Sequence, residues 1–374
     1  MSFSPASTGA STGPSASRVA VALPMLSLVP GGMGGSETYA RELTRELAAM
    51  PELDVTTYLP RAAAGFSEGV REHVVERVAG ADGTRGRLES QLQSRRSKDL
   101  RRALADADVV HYPLSVPAPP APRGSRAVVT LLDTQHKDLP ELFSRAEQVY
   151  RRFTYDRPTR RASAVITISE FSKQQIVRHY GLDPDTVHVA HLGVDTSHFA
   201  PVVGEREDFV LYPARGWPHK NHGRLLEAMR LVREEVPGLR LVLTGGGLDS
   251  LGDDLPEWVD RRGLVSREEL LSLYRRASVL AFPSRYEGFG LPPLEAMASG
   301  CPVAAANAGS LPEICGDAAV MFDPDDARAI ARAVLDARAQ GPDLAVRGLE
   351  HCREFTWKRC AEVHRDLYLS VAGR

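Results

Sequence analysis

Cysteine is scarce in this chain: four among 374 residues, Cys301, Cys315, Cys352 and Cys360, with no Cys-x-x-C pair. A disulfide-stapled scaffold and the usual spacing of a structural zinc site are both excluded, and four ordinary semi-buried thiols in a reducing, cytoplasmic setting are the expectation. A surplus of charge of one sign is missing too. The formal net charge is −2, which offers no global attraction to nucleic acid. Long apolar runs are lacking, so no transmembrane helix is expected. The longest early run, residues 19–30, is broken by Pro24, and no Lys or Arg precedes Arg18. The basic segment that opens a secretory signal is therefore absent, and the run reads as a first strand. Gly-x-Gly-x-x-Gly is absent as well, which counts against a dinucleotide-dependent oxidoreductase.

What is present is the composition of a soluble globular protein, 43% hydrophobic and 25% charged, in a length that suits two domains. Residues 1–17 are almost entirely Ser, Thr, Gly, Ala and Pro, too little apolar surface to offset the cost of ordering, and read as a flexible tail. Short apolar runs at 19–23, 53–59, 74–78, 108–112, 127–132, 164–168 and 187–190 then alternate with helical patterns such as 36–49 and 170–180. After a polar stretch at 196–208 a second series follows, with strands expected at 209–212, 239–244, 278–282, 302–306 and 319–322. Such alternation predicts an α/β protein of two doubly wound, Rossmann-like domains. The first covers 18–195 and the second 196–355. A terminal helix at 356–374 carries an apolar stripe that suits packing back onto the first domain.

The stretch from Phe282 to Glu295 holds the most chemistry. It ends a short apolar strand, passes Glu287-Gly288-Phe289-Gly290-Leu291, and opens a helix at Pro292-Pro293 that Gly300 is suited to stop. Two carboxylates eight residues apart therefore flank a glycine loop at a strand's carboxyl end, where ligands of open α/β sheets bind. Gly288 and Gly290 suit close approach of the backbone to a phosphate, and the helix N-terminus offers unpaired N–H groups. The whole reads as a clamp for a sugar nucleotide. Glu295, expected in the first helical turn, has two oxygens to match a ribose diol, although a carboxylate there also serves as a cap or complements the helix dipole. Glu287 has no helix to stabilise and is assigned to hydroxyls of the donor sugar.

This segment resembles the Glu-x7-Glu signature of family 4 retaining glycosyltransferases, two-domain enzymes of the GT-B fold with an interdomain cleft. Three other stretches are similar to family segments in the expected order: Met33-Gly34-Gly35-Ser36-Glu37, Pro213-Ala214-Arg215-Gly216-Trp217-Pro218-His219-Lys220-Asn221-His222, and Gly309-Ser310-Leu311-Pro312-Glu313. The resemblance spans nearly everything from Arg18 onward. It implies transfer of a hexose from a nucleoside diphosphate sugar, a co-substrate, to a hydroxyl acceptor, with no cofactor. Front-face attack, in which the departing phosphate oxygen takes the acceptor's proton, needs no enzymic nucleophile. No Asp-x-Asp motif of the metal-dependent transferases is evident, and Arg215 and Lys220 are expected to neutralise the leaving diphosphate in a metal's place. The Trp217–His222 stretch is similar to bacterial mannosyl- and rhamnosyltransferases, making GDP-mannose the leading donor.

Gly34 and Gly35, between the first strand and its helix, are expected to reach the diphosphate or the acceptor, and Gly245 borders the nucleotide or simply forms a tight turn. Many relatives carry His-Asp where this chain has Leu132-Asp133. His136 is the expected substitute, from four residues on, and Asp133 is expected to position the acceptor. The same departure motivates an alternative: a catalytically impaired subunit that binds sugar nucleotides or a partner protein without turnover. Two arginine-rich stretches, 85–102 and 145–161, read first as solvated faces and second as contacts to an anionic membrane, fitting a lipid-linked acceptor.

Overall fold

The computed structural model describes residues 18–80, 83–202 and 205–374, so the tail expected at 1–17 lies outside the described residues. Seven strands form the first sheet: β1 (Val19–Pro24), β2 (Leu53–Pro60), β3 (Arg71–Val75), β4 (Val109–Tyr112), β5 (Ala127–Thr130), β6 (Ala164–Thr167) and β7 (Val187–Val189). Six form the second: β8 (Glu207–Pro213), β9 (Arg240–Thr244), β10 (Val259–Gly263), β11 (Ala277–Phe282), β12 (Val303–Ala306) and β13 (Val320–Phe322). All pair in parallel, in the orders β3-β2-β1-β4-β5-β6-β7 and β10-β9-β8-β11-β12-β13. The near-continuous apolar runs of β4, β6, β11 and β12 are buried throughout, as strands covered on both faces must be.

This is the architecture that the alternating pattern predicts, with two departures. β3 begins three residues earlier than expected, because its pairing with β2 runs from Arg71 and the chain turns at Val75, where the Val78 amide donates to the Val75 carbonyl. β10 was not expected at all. Its sequence, Val-Asp-Arg-Arg-Gly, carries no hydrophobic period, since it is an edge strand with partly exposed side chains.

Strand order reverses between β1 and β4 in one sheet and between β8 and β11 in the other. These switch points open crevices at the strands' carboxyl ends. The glycine loop 31–35 leaves β1, the Arg215–Lys220 segment leaves β8, and the Glu287 loop leaves β11.

The chain crosses between the sheets twice. Val194 donates its amide to the Phe355 carbonyl, and a Cβ at Gly193 would sit 2.1 Å from the Trp357 amide nitrogen, so only glycine lets the two crossings run together. The helix Trp357–Ala372 then packs on the helix Gly35–Ala48 and on β1 and β4. A buried polar chain fixes it there: the Tyr39 hydroxyl bonds His364 Nε2 at 2.8 Å and Thr130 Oγ1 at 2.9 Å, Thr130 Oγ1 bonds His111 Nε2 at 2.7 Å, and His111 Nδ1 bonds the Tyr368 hydroxyl at 2.6 Å. Every member is fully enclosed, so each polar atom depends on its neighbour.

Burial lowers the basicity of both histidines, with each other's proximity adding to it at His111, and His364 falls to about 4. Unfolded histidine takes up its proton near pH 6.5, so the unfolded chain binds more protons as the medium turns acid. Stability present above that pH is lost as it falls toward 4. His364 alone is expected to cost about 2 kcal/mol between pH 7 and 5. Melting temperatures at the two pH values should drop together with acidity, and His364→Gln should shrink the drop; an equal drop in the variant would show that this histidine is not the group that titrates.

Candidate active site

A cavity of about 610 Å³ lies between the two sets of strand ends. Its first-domain wall includes Gly34, Gly35, Leu132, Asp133, Gln135, Arg151 and Tyr155, and its second-domain wall Arg215, Trp217, Lys220, Glu287, Gly288, Phe289, Gly290, Leu291 and Glu295. That volume is within the range of small-ligand sites.

Lys220 is the most firmly placed cation. A single helical turn, Pro218–Lys220, ends at Asn221 in the left-handed region, and the Asn221 amide donates to the carbonyls of Pro283 at 3.2 Å and Pro324 at 2.7 Å. The Lys220 carbonyl accepts from Tyr212 Oη at 2.6 Å, and the Arg285 amide donates to the His219 carbonyl at 2.8 Å. With its main chain held this way, Lys220 Nζ donates to Glu287 Oε1 at 2.5 Å. The side chains are only 14% and 13% exposed, so removing either partner strands a nearly buried charge. Burial first, and the Lys220 charge second, push His219 and His222 down to about 4, which keeps both uncharged at neutral pH.

Arg215 stands at the cleft mouth. Its guanidinium donates to the Gly32 carbonyl of the first-domain loop at 3.0 Å and lies 5.3 Å from the Trp217 ring centre. Glu295 lies a full turn inside the helix Leu291–Ala298 rather than in its first turn; its Oε2 accepts from the Tyr274 hydroxyl at 2.8 Å, and the residue forms part of the cavity wall. Desolvation raises the pKa of Glu295, as it does that of Asp133, which the Gln135 amide only partly offsets.

The glycines answer to packing as much as to any ligand. A Cβ at Gly288 would meet the Leu132 carbonyl at 2.9 Å and Asp133 Cβ at 3.0 Å, both in the first domain. Its own carbonyl accepts from Ser169 Oγ at 2.7 Å and Ser172 Oγ at 3.2 Å. Behind the loop, Ser310 Oγ donates to the Glu287 carbonyl at 3.1 Å and the Phe289 carbonyl at 2.6 Å. Three residues on, Glu313 reaches across to cap the helix Glu170–Tyr180, accepting from the amides of Glu170 at 2.8 Å and Phe171 at 3.0 Å and from His191 at 2.7 Å. Burial works against that carboxylate, yet these donors hold it below the ordinary range.

Two expected residues are not in the cavity wall. His136 is 5% exposed, bonded to Asp156 Oδ1 at 3.3 Å and packed against Phe143 and Tyr155, so it belongs to a buried first-domain cluster outside the cavity wall. Gly245, at φ 133°, is required because a Cβ would meet the Ala214 carbonyl at 2.3 Å; it is a tight packing point between β8 and β9. Sequence reasoning missed Arg151, Tyr155 and Gln135. Arg151 sits in a stretch read as a solvated face; the fold places it in the cavity wall, and it also pairs with Glu147 one helical turn back at 3.1 Å.

Among the described residues no group of three or more His, Cys, Asp or Glu is arranged to hold a metal ion. Asp-x-Asp does occur as a string, at Asp106 and Asp108, Asp183 and Asp185, and Asp323 and Asp325, all away from the cavity wall.

Comparison with known proteins agrees with this geometry. The model described as Glycosyltransferase Family 4 matches residues 33–198, and Glycosyl transferases group 1 matches 194–347, so the two meet at the connection between the sheets. O-antigen chain mannosyltransferase B of Escherichia coli is 30% identical over 262 residues, 64% of this chain and 68% of that protein. The chain belongs to glycosyltransferase family 4. MMP alpha-(1->4)-mannosyltransferase of Mycolicibacterium hassiacum is 33% identical over 232 residues, 58% of this family 4 chain and 56% of that protein's length. In fold it is similar to sucrose-phosphate synthase from Thermosynechococcus elongatus, at TM-score 0.78 and 21% identity over 95% of this chain and 100% of that one. Anabaena HepE in complex with UDP and glucose gives 0.71 and 17% over 94% and 100%. The fold of this glycosyltransferase is therefore GT-B.

Gly288→Ala tests the reading of the loop. The added methyl has no room against the first-domain main chain, so the variant is expected to keep nucleotide affinity within a few-fold while transfer falls at least about tenfold, a loss near 1.4 kcal/mol in the barrier. Unchanged kcat would show that the loop's seat in the first domain is dispensable.

Proposed function

We propose that this family 4 glycosyltransferase moves a hexose from a nucleoside diphosphate sugar to a hydroxyl acceptor, retaining the anomeric configuration and needing no metal. The observation that carries the reading is the fixed Lys220–Glu287 pair, with Arg215 beside it, at the mouth of both switch points. Arg215 and Lys220 balance the diphosphate as its bond to the anomeric carbon breaks. Glu287, its charge steadied by Lys220, accepts from hydroxyls of the sugar, and Glu295 takes the ribose diol through the oxygen that Tyr274 leaves open. Amides of Gly288 to Leu291, and of Gly34 and Gly35 opposite, lie toward the phosphates. Asp133 orients the acceptor hydroxyl, and the departing phosphate oxygen takes its proton. No step passes through His136 or Gly245.

The first domain thus serves the acceptor and the second the nucleotide sugar. Mannose is the leading sugar and GDP the leading nucleotide; the mannosyltransferases among the relatives support the sugar. The acceptor is an intermediate of cell-surface glycan synthesis, soluble or lipid-linked. Work in the cytoplasm is part of the same proposal, supported by four buried free thiols. No described helix is long and apolar enough to cross a membrane.

Arg215→Ala and Lys220→Ala are each expected to lower kcat/KM about 10- to 150-fold, the value of one charge-assisted hydrogen bond of roughly 1.5–3 kcal/mol. Near-normal turnover in both would remove the diphosphate assignment. Nucleotide binding without turnover, in a thermal-shift and hydrolysis screen of nucleotide sugars, would instead mark a binding subunit.

Activity should survive EDTA, and NMR of the product linkage should show the donor's anomeric configuration. An inverted product would sink the front-face mechanism, and loss of activity restored by a divalent ion would return the charge role to a metal.

A further inference from the structure

The helical stretch that follows Ser144 turns one face to the cleft and another to solvent. Arg151 and Tyr155 line the cavity, while Val149 and Phe153, also four residues apart, are 55% and 52% exposed. Arg145 and Arg157 extend that outer stripe in both directions, both exposed, and the Arg157 guanidinium lies 4.8 Å from the Phe153 ring centre. The helix Gly83–Arg96 runs alongside, since Gln91 donates to the Tyr150 hydroxyl at 3.2 Å. One residue beyond that contact Leu92 is 54% exposed, with Arg95 and Arg96 exposed a turn later. Three of the seven large apolar side chains exposed among the described residues thus stand on two adjoining helices.

The charge around them is one-sided. Residues 145–161 hold six arginines against Glu147 and Asp156, and Asp156 is buried against His136 and Lys137, so it does nothing to neutralise the surface. In a chain of net charge −2 this is a local basic patch with apolar tips.

We propose that this face seats the protein on an anionic lipid bilayer, with Val149, Phe153 and Leu92 entering the headgroup region and the surrounding arginines meeting lipid phosphates. Apolar tips inside a basic rim are the pattern of interfacial helices, and guanidinium forks match phosphate oxygens. The seat also sets the direction of approach. Because the same helix lines the cleft with its other side, an acceptor hydroxyl carried on a lipid enters directly behind the seated face. Only this last consequence rests on the transferase reading; the seat itself does not.

Flotation of the full chain with vesicles of phosphatidylcholine, alone or mixed with phosphatidylglycerol, tests the proposal. The wild type is expected to float with the mixed vesicles only, and less at high salt. Arg145→Gln with Arg157→Gln should weaken binding roughly 25-fold, about fivefold for each charge near the surface. Val149→Ser with Phe153→Ser should weaken it about tenfold or more, at unchanged melting temperature and nucleotide affinity. Absence of flotation on anionic vesicles, equal flotation by wild type and both variants, or a concentration-dependent dimer that the Ser variant breaks would each overturn it. Vesicle binding is read without turnover, so its failure and failure of the proposed transfer are separate results.

Discussion

Gly288 presents its carbonyl to the serines of the opposite domain, and the site is arranged around that clasp. Ser169 and Ser172 hold the carbonyl, Leu132 and Asp133 stand too close for any side chain at 288, and Ser310 braces the loop from behind. The residue before it is Glu287. A carboxylate proposed to hold the sugar is therefore positioned by main-chain contacts to the domain proposed to serve the acceptor. Glu313 adds a second strut, a second-domain carboxylate on the N-terminus of a first-domain helix, where the dipole favours it.

Charge in the cleft is arranged in the same economical way. Lys220 is paired and nearly buried, so its position costs no ordering when a ligand arrives, while Arg215 makes an exposed bond to a carbonyl that the proposed diphosphate would replace. Two neutral histidines flank Lys220 and add no competing charge. One cation is thus pre-set, and the other is free to follow the leaving group of the proposed transfer.

The alternation of strands and helices was legible in the sequence because buried parallel strands are short and apolar, and all but one of the strands fell within a few residues of their expected places. β10 escaped because an edge strand needs no apolar face. The loop-and-helix segment from Glu287 to Glu295, and its place at the cleft, were legible because glycines and prolines punctuate it. The reason for Gly288 was not: it depends on a main-chain carbonyl more than 150 residues away, which no local pattern records. His136 misled for the complementary reason. Counting residues along the chain placed it near the cleft, but the short helix Gln135–Asp138 turns its ring into the buried cluster around Asp156. Arg151 was hidden among arginines that do face solvent.

The central claim is that the first domain positions the second-domain loop proposed to bind the sugar. The most direct measurement is calorimetric nucleoside diphosphate affinity beside single-turnover transfer in the double variant Ser169→Ala, Ser172→Ala. The account predicts affinity within about twofold of wild type and transfer slowed by at least about fivefold, since two hydrogen bonds to the loop carry roughly 1–3 kcal/mol together. Equal slowing of both would place these serines in general stability, and transfer at the wild-type rate would contradict the claim outright.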